Sequence, residues 1–306
     1  MNKRYEYPIP GELRKNVTAI CGRRGIEWLH DLPRLVGELE LEWNVVADVP
    51  FEKGEFNFVA PARGENGLDT VLKISPPYER IEIYAEAAFL RARQGVGCVH
   101  LLSEDRGRLA ILVERARPGE SMDERFALEP FACVEPAIEV LKIIQLTPQT
   151  SDNLHYQYLD DWVARFRRFR DTDFPQDYGE KTLAIYEKLV TQREKISHIH
   201  GDFHPGNIVT ATRVPFLAID AKGLIGHIAY DIAVFLNNLH WWQKGKTGVQ
   251  RNLFAAAERF GNAFDIDPKT IREAAYAGMV IGAWWSFEDT PEFYDGQVVL
   301  ADIWDV

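Results

Sequence analysis

The strongest constraint on the fold of this chain is a change of hydrophobic pattern at Arg117-Pro118-Gly119. Before it, short strand-like runs dominate: Trp43–Val49, Phe56–Ala60, Thr70–Ile74, Cys98–Ser103 and Leu109–Glu114. Beyond it, apolar residues recur at helical spacing over about 130–146, 156–170, 178–196, 228–242, 249–263 and 268–288. Two short strands, Asn207–Thr210 and Phe216–Asp220, interrupt them. Runs of strands followed by runs of helices predict an α+β chain in two lobes, 1–115 and 116–306.

Residues 1–42 read as a helical extension of the first lobe, with Trp28, Leu29, Leu32, Leu35, Val36 and Leu39 at helical intervals. Within that lobe Ile81–Arg93 is the expected helix. Pro76-Pro77 bars an earlier start, and Gly95 and Gly97 end it. The pair Asn66-Gly67 predicts a tight hairpin between two of the strands.

At 306 residues, with 46% hydrophobic and 26% charged side chains, the chain has a globular composition. No apolar run nears the roughly 20 residues that span a bilayer. The start MNKRYEYPIPGELRKN has no apolar core of a signal peptide, and Cys21, Cys98 and Cys133 show no metal or disulfide spacing. The expectation is a cytoplasmic, soluble protein without a membrane partner, taken as a monomer. A net charge of −11 argues against nucleic acid, which is bound through Lys and Arg. The excess is uneven, net −2 in 1–115 and net −9 in 116–306. Such an acidic half is either a solvated surface or a receptor for a cationic small molecule.

Chemistry concentrates in His198-Ile-His-Gly-Asp-Phe-His-Pro-Gly-Asn207, followed by Asp220 at the end of the run Phe216-Leu-Ala-Ile. Asp202, Asn207 and Asp220 form an oxygen-rich set of hard donors. Magnesium takes a few such oxygens and completes its octahedron with water and nucleotide phosphates. The remaining carboxylate can orient a substrate hydroxyl and accept its proton. His198, His200 and His204 invite a transition-metal reading. Against it, Phe203 separates Asp202 from His204, which metallo-β-lactamase-type hydrolases keep adjacent.

The pattern His200-Gly201-Asp202-x-His204-x-x-Asn207 resembles the aminoglycoside phosphotransferase family. Ala218-Ile-Asp-Ala-Lys-Gly-Leu-Ile-Gly226, then Tyr230-Asp231, and Trp284-Trp-Ser-Phe-Glu-Asp289 resemble its streptomycin 6-phosphotransferase and hydroxyurea-resistance kinase branch. The resemblance implies a protein-kinase-like two-lobed fold, ATP and Mg2+ as cofactors, and transfer of the γ-phosphoryl group to a hydroxyl of a small molecule. By the family pattern Asp202 is the catalytic base, Asn207 and Asp220 hold the metal, and Asp231 braces the loop. In place of a metal role, His200 is expected to brace the loop and His204 to pack or cap beside it.

The same resemblance gives roles upstream. Lys73 lies in the apolar strand Val71-Leu-Lys-Ile74, and Glu86 lies thirteen residues on in the following helix. In kinases such a pair sets the lysine on the α- and β-phosphates. Pro50–Asn57, with Gly54 as its flexible point, becomes the phosphate loop, although it lacks G-x-G-x-x-G. Leu112–Ala116 becomes the hinge, where Glu114 and Ala116 meet adenine. Ala221-Lys222 follows Asp220 where protein kinases carry Phe-Gly, which points to a small-molecule kinase.

The acceptor side rests on chemistry alone. Carboxylates beside Trp faces suit a guanidinium or ammonium group, so Glu288 and Asp289 with Trp285, then Asp123 and Asp161, are the candidates. The competing reading makes the aromatic end, which includes Trp284, Phe287, Phe293, Tyr294 and Trp304, simple core. The acceptor itself is either a streptomycin-like aminoglycoside or another small molecule: a sugar, an amino alcohol, a peptide antibiotic or hydroxyurea. A pseudokinase that binds nucleotide without transfer is the remaining alternative.

Overall fold

The computed structural model describes residues 8–52, 54–65, 67–78, 82–146, 157–242, 247–289 and 296–306. They form two compact units, Met1–Arg117 and Pro118–Val306.

In the first unit, α1 (Gly11–Trp43) precedes β1 (Val45–Ala47), β2 (Phe58–Gly64), β3 (Asp69–Ile74), α2 (Glu82–Arg93), β4 (Leu101–Asp105) and β5 (Ala110–Glu114). The strands make one antiparallel sheet in the order β1-β2-β3-β5-β4. Side chains alternate along a strand, and one face of this sheet belongs to α1. Leu13, Val17, Leu29, Leu32, Val36 and Leu39 of the helix share a buried core with Phe58, Ala60, Leu72, Ile74 and Leu112. Lys73, between Leu72 and Ile74, therefore lies on the other face. Helix α1 is bent at Gly22 (φ 53°, ψ −131°), a backbone state open to glycine. At its far end Asn44 turns left-handed and its N–H bonds the Glu40 carbonyl. The buried Glu40 carboxylate then accepts the Ala47 N–H at 2.7 Å, tying helix to sheet.

Several boundaries differ from the sequence reading. Trp43 ends α1 instead of opening a strand, because the left-handed Asn44 separates helix from sheet. The β2–β3 turn is wider than a two-residue hairpin, since β2 runs on to Gly64. Gly64 closes it by donating to the Leu68 carbonyl at 3.0 Å; Asn66 itself lies outside the described residues.

In the second unit β6 (Pro118–Ser121) and α3 (Met122–Arg125) lead into α4 (Val134–Leu146). Then come β7 (Gln157–Tyr158), α5 (Leu159–Phe166), α6 (Gln176–Leu189), β8 (Ile196–Ile199), β9 (Ile208–Ala211), β10 (Phe216–Ala218) and β11 (Leu224–His227). Helices α7 (Ala229–Trp242), α8 (Val249–Phe264) and α9 (Pro268–Asp289) follow. Two three-stranded sheets, β10-β9-β6 and β7-β11-β8, are set among the helices. The helix expected over 156–170 is divided into β7, α5 and a 3-10 turn over Arg167–Asp171. The one expected over 178–196 ends at Leu189. Ile196–Ile199 pairs with β11 instead, so β-branched residues at a helix end go to the sheet.

Helix α9 packs against α6, α7, α8 and the closing 3-10 turn Gln297–Trp304. Trp304 is fully buried and donates its indole N–H to Asn237 at 3.0 Å. Trp284, Phe166, Phe169 and Phe174 form an aromatic core with ring centroids 4.9–6.4 Å apart. For those residues the core reading of the aromatic end holds.

His227 closes β11 in the interior, where its Nδ1 accepts the Ala229 N–H at 3.1 Å. Burial, with the charge of Lys195 adding to it, pushes its pKa down to about 4. The unfolded chain then binds more protons than the folded one between pH 6.5 and 4, so folding stability is lost as the pH is lowered through that window. Each pH unit costs at most about 1.4 kcal/mol. Urea midpoints measured from pH 7 to 4.5 should fall, and His227→Gln should flatten that slope; an unchanged slope would remove His227 as its source.

Candidate active site

The loop between β8 and β9 carries Asp202, and its shape is set by a buried carboxylate. Asp231, fully buried near the start of α7, accepts the His200 N–H at 2.8 Å and the Gly201 N–H at 2.7 Å. Gly201 runs through φ +81°, and a Cβ there would meet Leu224 at 2.8 Å. Only glycine fits, which explains the residue at this point of the pattern. The His200 ring spans the loop. Its Nδ1 accepts the Asp202 N–H at 3.2 Å, which puts the ring proton on Nε2, 3.0 Å from the Ile219 carbonyl. Phe203 is buried beneath, against Phe235.

His204 is arranged in the same way. Its Nδ1 accepts the Gly206 N–H at 3.1 Å, so Nε2 carries the proton and lies 3.9 Å from an Asp202 carboxylate oxygen. With both His200 nitrogens committed to backbone, a transition-metal set of three histidines is not formed. Among the described residues no group of three or more His, Cys, Asp or Glu is placed to hold a metal ion.

The oxygen donors of Asn207 and Asp220 are joined through the backbone. Asn207 donates its amide NH2 to the Asp202 carbonyl at 3.1 Å, which fixes its amide plane and leaves the side-chain oxygen as a donor to a cation. The Ile219 N–H bonds the Asn207 carbonyl at 2.9 Å, bringing the neighbouring Asp220 alongside. Asp220 is exposed and stands two residues beyond β10 in a left-handed conformation (φ 58°). Asp tolerates that state better than most residues, at a cost of about 1–3 kcal/mol. One amide oxygen and one exposed carboxylate are hard donors of the kind magnesium shares with phosphate oxygens, so the pair fits that ion.

In the first unit Lys73 and Glu86 make an ion pair of 2.6 Å, with both side chains about nine-tenths buried. The charge in an apolar strand is thus answered from α2. Around Gly54 the chain turns tightly, the Gly54 N–H reaching the Phe51 carbonyl at 3.3 Å. Gly54 matters for close approach, not for left-handed backbone, because a Cβ would stand 3.1 Å from the Asn57 carbonyl. Tyr78 and Asn16 hold this loop by donating to the carbonyls of Phe56 and Glu55 at 2.7 and 3.1 Å. At the end of β5, the N–H groups of Glu114 and Arg115 bond the carbonyls of His100 and Asp69. The Glu114 carboxylate accepts the His100 N–H at 3.0 Å, and Ala116 is half-buried beyond it.

The acceptor candidates separate. Asp123 is held by Ser121 and the Glu124 N–H. One of its oxygens lies 3.6 Å from where a Gly206 Cβ would stand, so it borders the Asp202 loop. Glu288 is engaged by Arg168. Asp161 is exposed on α5, and the Asp289 side chain, Phe293 and Tyr294 lie outside the described residues. Trp285 is 41% exposed and meets Trp162 of α5 edge-on, 5.4 Å between centroids. Trp162 in turn meets Tyr230, next to Asp231, at 6.4 Å. Trp162 is not singled out by the sequence reading, and Tyr230 enters it only as the neighbour of Asp231 in the motif. A lone Trp in an amphipathic helix reads as core, and the signal is its juxtaposition with two other elements.

Residues 42–290 match the family described as aminoglycoside/hydroxyurea antibiotic resistance kinase. A streptomycin 6-kinase of Streptomyces glaucescens is 25% identical, covering 92% of this chain and 91% of that protein. A hydroxyurea phosphotransferase of Kitasatospora aureofaciens is 26% identical, covering 96% and 83%. Among solved structures, amicoumacin kinase hAmiN in complex with AMP-PNP, Ca2+ and Ami superposes with a TM-score of 0.62 at 14% identity, over 92% of this chain and 96% of that one. The fold is protein-kinase-like, as the resemblance implies.

Removing one member of the Lys73–Glu86 pair should be more damaging than removing both. Lys73→Met strands a buried carboxylate and should cost about 3–5 kcal/mol, much of it recovered in the Lys73→Met/Glu86→Leu double variant. Urea unfolding of the four species checks this; strictly additive losses would show the two groups uncoupled.

Proposed function

This chain belongs to the aminoglycoside/hydroxyurea antibiotic resistance kinase family and is a phosphotransferase, and from that premise we propose that it phosphorylates a hydroxyl of a streptomycin-like aminoglycoside with ATP. The observation that carries the reading is the Asp202 loop, locked by Asp231 and His200, with Asn207 and Asp220 joined beside it.

Asp202 is the base. Its carboxylate orients the acceptor hydroxyl and takes its proton as the acceptor oxygen bonds the γ-phosphorus and the bond to ADP breaks. His204, whose Nε2 lies 3.9 Å from one Asp202 oxygen, stands beside the carboxylate and leaves the other oxygen to serve the hydroxyl. Asn207 and Asp220 hold magnesium, which when bound supplies positive charge to the phosphate oxygens. Lys73, kept extended by Glu86, pairs with the α- and β-phosphates. The turn at Gly54 covers the phosphates, and the backbone at Glu114 and Ala116 meets adenine. Because the transition state is loose, the contribution of these groups is position and charge.

The net −9 of residues 116–306 favours a cationic acceptor, and the streptomycin 6-kinase relative supports streptomycin as the first choice. The similar identity to a hydroxyurea phosphotransferase supports hydroxyurea as the second.

Incubation with Mg·ATP and each compound, read by mass spectrometry of the acceptor, should show one phosphoryl group gained by streptomycin. Asp202→Asn should lower kcat by about 10²–10⁴ while ADP binds nearly as before. Transfer to hydroxyurea alone would replace the substrate. Near-normal turnover by Asp202→Asn would remove Asp202 as the base.

A further inference from the structure

Two adjacent tryptophans of α9 have opposite fates. Trp284 is 2% exposed and packed among Phe166, Phe174 and Phe287, whereas Trp285 is 41% exposed. The core accounts for the first and leaves the second unexplained. Trp285 is not a stray surface ring, because it closes an aromatic line through Trp162 to Tyr230. That line crosses three elements, α9, α5 and α7, and ends one residue before the carboxylate that holds the Asp202 loop. At that end the Tyr230 phenol is buried, and burial first, then the neighbouring Tyr186 and the negative charges of Asp202 and Asp231, raise its pKa well above the usual value. The outer end of the line is therefore exposed, and its inner end is buried in α7 next to Asp231 in the chain.

Trp162 is half-buried and oriented. Leu159, Val163 and Phe166 anchor α5 in the core, and the Trp162 indole N–H is directed at the Gln157 side-chain oxygen, 3.5 Å away. The surroundings are acidic: Asp160 and Asp161 precede Trp162 and are exposed, and Glu288 follows Trp285 by one turn. Glu288, however, is neutralised by Arg168. Of the carboxylates here, Asp160 and Asp161 are exposed beside Trp162, while the one nearest Trp285 in sequence, Glu288, is shared with Arg168.

We infer that Trp285 and Trp162 form the platform that receives the planar cationic group of the acceptor, a guanidinium in a streptomycin-like substrate, and so set specificity. Indole faces attract such a group through the ring quadrupole, and the flat guanidinium stacks where a hydrated ammonium does so less well. The inference rests on the proposed transfer to a cationic aminoglycoside, and it assigns recognition to aromatic residues instead of Glu288.

The test uses the full chain with saturating ADP and streptomycin as the probe, binding being followed by calorimetry, together with steady-state transfer from Mg·ATP. Trp285→Ala should weaken streptomycin binding about five- to thirtyfold. It should raise the streptomycin KM in proportion while ADP affinity and the melting temperature stay near wild type. Trp285→Phe and Trp162→Phe, which keep a ring, should recover much of the loss, and Glu288→Gln should change binding less than twofold. Streptomycin affinity within twofold of wild type in Trp285→Ala would overturn the platform, as would parallel loss of ADP affinity. Wild-type protein that does not bind streptomycin also overturns it. Wild-type protein that binds streptomycin, depends on Trp285 and yet transfers no phosphate would leave the platform standing and remove the transfer reading.

Discussion

Everything in the Asp202 loop depends on the two hydrogen bonds that Asp231 accepts. A turn that takes Gly201 through positive φ has no strand or helix partner for the N–H groups at its apex. Buried backbone donors must nevertheless be satisfied. One carboxylate meets both, with the added strength of a charged acceptor. The His200 ring then has a fixed origin, and its two nitrogens reach the Asp202 N–H and the Ile219 carbonyl. Through those links the position of a residue on α7 is passed to Asp202 and to the segment that carries Asp220.

The rest of the site follows from commitment of polar groups to the backbone. Asn207 spends its NH2 on the Asp202 carbonyl, so only its oxygen is offered outward. His200 and His204 each spend Nδ1 on a nearby N–H, so each presents Nε2–H. The proton positions around Asp202 are thereby decided by the fold. The left-handed Asp220 is the expensive part of this arrangement, and it stands where a carboxylate is brought beside Asn207.

Much of this was legible in the sequence because the chemistry restricts residue type and interval together. His200, Asp202, Asn207, Asp220 and Asp231 could be read from spacing and resemblance, and Lys73 from a charge within an apolar strand. Strands β6, β7, β8 and β11, of two to four residues, could not, although β9 and β10 of the same length were read from their apolar runs. They are too short to show a period, and β8 exists only because β11 returns beside it. The acceptor side was the least legible. Glu288 and Trp285 were visible as an acidic and aromatic neighbourhood, but Arg168 and Trp162, which decide what each is free to do, come from distant parts of the chain.

Helix α1 has a consequence for how the boundaries of this protein are drawn. The family match begins at residue 42, just before the end of that helix, yet the helix provides one whole side of the first unit's core. A chain cut back to the matched residues would keep Lys73, Glu86 and every strand of the sheet. It would also leave Phe58, Ala60, Leu72, Ile74 and Leu112 facing water as a greasy sheet surface, the kind that sticks to its own copies. The cover of that sheet face is, in this protein, supplied by a segment that the family match does not include.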